Sequence, residues 1–135
     1  MNTKLNYLTF VGITCLSLFT ACAKNGNNSL ANFQPEVANI TDNFQLQATN
    51  VTQVSTTIDY NWTNSGAMAT IDKSGILTSG TARILIFDKN GTIVSTSDLK
   101  VTGAETTAIG VAGLWKIRLE LSKYDGTLNL RVQKK

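Results

Sequence analysis

The chain has 135 residues, room for one domain, with a formal charge of +3, 16% charged residues and no histidine. So small a basic excess does not demand nucleic acid or another polyanion as partner. Without imidazole, and with both cysteines within the first 22 residues, the remainder has no disulfide, no transition-metal cluster and no histidine to act as the commonest general base.

The first six residues carry one charge, Lys4, and Tyr7 to Ala21 then runs mostly apolar. A positive start, a short apolar run and a small-residue end describe an export signal over residues 1–21. The run falls short of the roughly 20 apolar residues that cross a bilayer. Phe19-Thr20-Ala21-Cys22 resembles the lipobox of bacterial lipoproteins. That resemblance implies diacylglycerol on the Cys22 thiol, removal of the signal just before it, and attachment to the cell envelope by acyl chains, at the outer membrane. Cys15 lacks the small residue such a site needs before it. The alternative is ordinary cleavage after Ala23, which would release a freely secreted protein. Residues 22–36, beginning Cys22-Ala23-Lys24-Asn25-Gly26-Asn27-Asn28, lack periodicity and bulk and read as a flexible tether. The folded domain is then expected over 37–135.

Period-two alternation dominates that domain. Phe44, Leu46 and Ala48 share one face of a first strand, and Ile58, Tyr60 and Trp62 one face of a second. Ala82–Phe87 is apolar on both faces apart from Arg83, which predicts an inner strand. Trp115, Ile117, Leu119 and Leu121 oppose Lys116, Arg118, Glu120 and Ser122, and Leu128, Leu130 and Val132 close the chain. Turns are expected at Lys73-Ser74-Gly75, Thr78-Ser79-Gly80 and Asp88-Lys89-Asn90-Gly91. A further hairpin is expected at Tyr124-Asp125-Gly126. About eight strands and no helix predict an all-β fold, an antiparallel two-sheet sandwich of immunoglobulin-like or jelly-roll type. The segments Thr81-Ala82-x-Ile84-x-Ile86-x-Asp88-x-x-Gly91, Ala112-Gly113-Leu114-Trp115-x-Ile117 and Gly126-Thr127-Leu128-Asn129-Leu130 resemble bacterial pre-peptidase C-terminal domains. Those positions are turn glycines and core residues. The resemblance implies a non-catalytic accessory binding module and transfers no catalytic residue.

Surface chemistry is sparse. The nine acids are scattered and fall mostly at turns or on polar strand faces, so carboxylate-pair catalysis is disfavoured. Asp88 with Asn90, or Asp125, could offer oxygens to calcium, but such residues in hairpins usually serve the turn itself. No cofactor is expected. Lys116, Arg118 and Arg131 form a candidate basic face, if the last two strands pair as a hairpin, for anionic lipid head groups or an acidic glycan. The sequence therefore points to a membrane-anchored, non-catalytic envelope module that binds glycan, lipid or protein. A structural surface lipoprotein without a specific ligand is the alternative.

Overall fold

The structure, a computed structural model, describes residues 28–135, so Cys15, Cys22 and the export segment lie outside the described residues. A single 3₁₀ turn, Leu30–Phe33, is capped by the Ser29 hydroxyl, which accepts from the Ala31 N–H. Seven strands follow: β1 (Glu36–Ile40), β2 (Asn43–Asn64), β3 (Ala69–Lys73), β4 (Ile76–Phe87), β5 (Ile93–Asp98), β6 (Gly103–Thr106) and β7 (Gly113–Lys134). The fold is all-β and antiparallel. All seven strands belong to one open sheet rather than to two separate ones. At its centre β2 and β7 pair along their whole length, from Asn43 opposite Gln133 to Asn64 opposite Gly113.

One observation explains how a single sheet encloses a core. A straight strand of 22 residues would hold its ends roughly 70 Å apart. Yet the Asp42 N–H donates to the Thr63 carbonyl at 2.9 Å, and the rings of Phe44 and Tyr60, both on β2, have centroids 5.1 Å apart. β2 is thus bent double, and β7 bends with it. One arm of the folded sheet carries β1 beside the first half of β2, with β3 and β6 beside the second half of β7. The other arm carries β4 and β5 beside the first half of β7. The inner faces of both arms meet in one core that includes Trp62, Trp115, Ile71, Ile84, Ile117 and Leu130.

The bend is made by extra residues. Register slips between Ala48 and Thr56 of β2 and between Leu77 and Thr81 of β4. Asn50, Gln53, Gly80 and Lys123 sit there with φ of 53°, 51°, 78° and 46°. Each is a bulge in the left-handed region, the device that sharpens twist and turns a strand through a corner. On β7 the bulge also shifts the alternation: odd positions from Trp115 to Leu121 face inward, then even ones from Tyr124 to Val132. That phase change has the signature of a turn, and it accounts for two corrections. Tyr124-Asp125-Gly126 is not a hairpin but the interior of β7, and Thr78-Ser79-Gly80 lies inside β4. The two segments expected before and after Thr52 are likewise one strand, β2. The turns at Lys73-Ser74-Gly75 and Asp88-Lys89-Asn90-Gly91 stand where expected, and β4 is an inner strand between β5 and β7.

Residues before Val37 also belong to the folded domain. Leu30 is 1% exposed and part of the core, and Asn28 bridges Val54 while its amide donates to the Thr52 carbonyl at 2.9 Å. The chain therefore enters the domain at the bend.

Candidate functional site

The outward face of the arm built from β2, β7, β4 and β5 carries most of the ionic chemistry. Register places Asp59, Arg118 and Leu85 side by side across three strands, Asn61, Lys116 and Phe87 in the next row, and Thr57, Glu120, Arg83 and Asp98 in the row nearer the bend. The Arg118 guanidinium grips Asp59 in a fork, Nε to Oδ1 at 2.6 Å and Nη2 to Oδ2 at 2.7 Å. Lys116 Nζ stands 3.8 Å from the same carboxylate and 4.3 Å from the Phe87 ring centroid. Hydrogen bonding from Arg118, outweighing partial burial, holds the Asp59 carboxyl below its usual range.

The basic face expected from Lys116, Arg118 and Arg131 is not assembled. Lys116 and Arg118 are neighbours, but both are engaged by Asp59. Arg131 lies in the other arm, between Gln45 and Asp72. The cause is the continuity of β7: with no hairpin at Tyr124-Asp125-Gly126, residues 118 and 131 follow one another along a bent strand instead of pairing.

On this face, at the row nearer the bend, is a depression of about 750 Å³ lined by Thr57, Thr81, Thr96, Ser122, Arg83, Asp98 and Glu120, with Ala82 and Leu121. Arg83 Nε donates to Glu120 Oε2 at 2.5 Å, and Asp98 accepts from the Lys100 N–H. Hydroxyls and one ion pair can hydrogen-bond a polar ligand. In register, Arg83 stands between Asp98 on β5 and Glu120 on β7.

Asp88 and Asp125 bond back onto the chain itself. The Asp88 side chain, 6% exposed, accepts from the backbone N–H groups of Asn90, Thr92 and Val111. Burial pushes its pKa up, and those three hydrogen bonds bring it below the ordinary value. Asp125 accepts from the Gln53 N–H at 2.6 Å, from the Gln53 amide at 2.8 Å and from the Ser79 hydroxyl, joining β2 and β4 across β7; these bonds lower its pKa, the Ser79 bond most. Both carboxylates considered for calcium thus accept three hydrogen bonds each from protein donors. Among the described residues no group of three or more His, Cys, Asp or Glu gathers to hold a metal ion. No described helix is long and apolar enough to cross a membrane.

A feature the strand periodicity leaves aside lies at the end opposite the bend. There the turn after β1, the loop 65–68, the turn 88–92 and the loop 107–112 come together. The Gly110 N–H donates to the Ala67 carbonyl, the Lys89 N–H to Val111 and the Lys134 N–H to Asp42. Trp62 and Trp115 plug this end from inside, in edge-to-face contact at 5.9 Å, their indole N–H groups donating to Ile40 and Val111 carbonyls. Outside, Ile40, Ile93, Ile109 and Leu114 are each more than half exposed. Leu114 was detectable in sequence, as an apolar residue on the polar side of an otherwise clean alternation. Ile109 carries no such signal, because it belongs to a loop.

No protein-family model matches the chain, and no curated protein matches it.

Proposed function

We propose that the chain is a lipid-anchored, non-catalytic binding module of a bacterial cell envelope, held at the membrane through acyl chains on Cys22. The observation that carries this reading is the path of the chain into the domain. The described residues begin at Asn28, six residues beyond the lipobox-like cysteine, and Asn28 is fastened to Thr52 and Val54 at the bend. Six Cα steps span at most roughly 20 Å. The bend would therefore lie close to the bilayer, and the opposite end, with its exposed loops, would be displayed away from it. Acyl chains held by about 0.8 kcal/mol per buried CH₂ need no basic patch to stay in the membrane. That suits a face on which Lys116 and Arg118 are already paired with Asp59.

The module recognises its partner through surface rather than through reactive groups. The hydroxyl-lined depression around Arg83 and Glu120 and the loop end are its two candidate contacts. Growth with labelled palmitate tests the anchor: wild type incorporates label and partitions with detergent, and Cys22→Ser does neither. A native protein that begins at Lys24, unmodified, overturns the reading.

A further inference from the structure

Exposed aliphatic side chains at the end opposite the bend are gathered rather than scattered. Leu114 is 57% exposed and pairs in register with Thr63, whose carbonyl receives the N–H of Asp42, two residues after Ile40 (64% exposed). Val111, 45% exposed, joins the same group through its carbonyl bond to the Lys89 N–H, and Ile109, 77% exposed, belongs to that loop. Ile93, 53% exposed, sits beside Phe87 at the adjoining turn.

The charges around these tips are of one sign where they are unspent. Both acids of this end are engaged: Asp42 with Ser65 and with Lys134 Nζ at 3.0 Å, Asp88 with three backbone N–H groups. Among the described residues, Lys89 and Lys135 form no ion pair. The tips are aliphatic, and the indoles of Trp62 and Trp115 are fully buried beneath them. A protein partner is normally met by exposed aromatic and arginine anchors on a surface it can match in shape. Protruding aliphatic tips with lysines at their base suit a deformable apolar phase under an anionic layer.

We propose that this end of the domain is a second membrane contact, in which Ile109, Leu114 and Ile40 enter the interface of an anionic bilayer and Lys89 and Lys135 lie against its head groups. The contact is independent of lipid on Cys22. With the bend near one bilayer, it would engage membrane at the far end of the domain.

The test reads the tip itself. In the full chain carrying Cys15→Ser and Cys22→Ser, an environment-sensitive fluorophore is placed on Ile109→Cys, and in a control chain on Ile76→Cys, which is 67% exposed at the bend. Vesicles are phosphatidylcholine alone or with about one third phosphatidylglycerol. Emission at position 109 rises several-fold with the anionic vesicles only, is quenched by acyl-chain quenchers, and is lost near 1 M salt, where the screening length is ~3 Å. Position 76 stays aqueous. Adding Ile40→Asp and Leu114→Asp weakens the response at 109 by about tenfold or more. The proposal is overturned if position 109 stays aqueous on vesicle-bound chain, if 76 responds equally, or if neutral vesicles act as well as anionic ones. It is also overturned if the signal follows protein concentration without vesicles, which would make a second copy the partner. Loss of palmitate labelling would leave this result untouched.

Discussion

The two ends of this bent sheet are held by different physics. At the bend, backbone does the shaping: four residues in the left-handed region turn three strands, and the Asp125 carboxylate ties Gln53 of β2 to Ser79 of β4. Tyr124 is buried there with its hydroxyl on the Ile76 carbonyl and its pKa pushed up to about 12 by burial, and Leu30, Val51 and Val54 are buried at the same end. At the opposite end, side chains do the work, with two buried tryptophans filling the mouth of the fold while the loops above them stay exposed. A corner must satisfy ladder groups that its bulges leave unpaired, so polar staples suit it. An end where strands stop must also exclude water from the core, so large apolar plugs join the Asp42 and Asp88 staples there.

The largest expected effect comes from removing a plug. Trp115→Ala leaves a cavity among Trp62 and its neighbours and costs about 3–5 kcal/mol, read as a lower urea midpoint at unchanged m-value. Paired glycine substitutions sharpen the contrast. Gly80 and Gly91 share nearly the same positive φ, but a Cβ on Gly80 would run into the carbonyls of Ser122 and Lys123, whereas one on Gly91 meets nothing within 4 Å. Gly80→Ala should therefore cost about 2–3 kcal/mol and Gly91→Ala about 1 kcal/mol, measured by thermal or urea unfolding.

Between the arms, Lys73 gives a third test. It is 7% exposed and donates to Ser97 at 2.6 Å and to Glu105 at 3.2 Å, so one cation on β3 holds β5 and β6 together. Lys73→Ala strands those acceptors and should cost about 2 kcal/mol by urea unfolding.

Acid should loosen both ends. Hydrogen bonds from the Ser65 N–H and hydroxyl, and then from Lys134, lower Asp42 from 3.8 to about 2; Asp125 and Asp88 are lowered too. A carboxylate with a depressed folded pKa contributes its full stability above its unfolded value and loses it as pH falls through the folded one. The urea midpoint should be level above about pH 4 and drop toward pH 2. Asp125→Asn should start lower and fall less steeply. The smallest effect is expected at the partly exposed fork: Arg118→Ala should change stability by less than about 1 kcal/mol, since solvent screens that pair.

How far the residues alone could be read differs between fold and site. The alternating runs from Trp115 to Leu121 and from Leu128 to Val132 announce strands and name their buried faces. The phase change between those runs is visible too, but a reversing turn and a bulge on a continuing strand both shift the alternation by one, and Tyr124-Asp125-Gly126 has the composition of a turn. The candidate basic face inherited that ambiguity, which is why Arg131 and Arg118 were expected together and are not.

By itself the sequence determined an all-β chain, the buried faces of its alternating runs and its hairpin at Asp88–Gly91. These follow from local spacing and residue type, which need no distant partner. Only the tertiary structure decided that β2 and β7 continue through the bend, that Leu30 belongs to the core, and that Ile40, Ile109 and Leu114 share one end. Each of those depends on contacts between residues far apart in the chain, such as Gln53 with Asp125 and Asp42 with Thr63, and the energy that selects among locally equivalent turns resides in them.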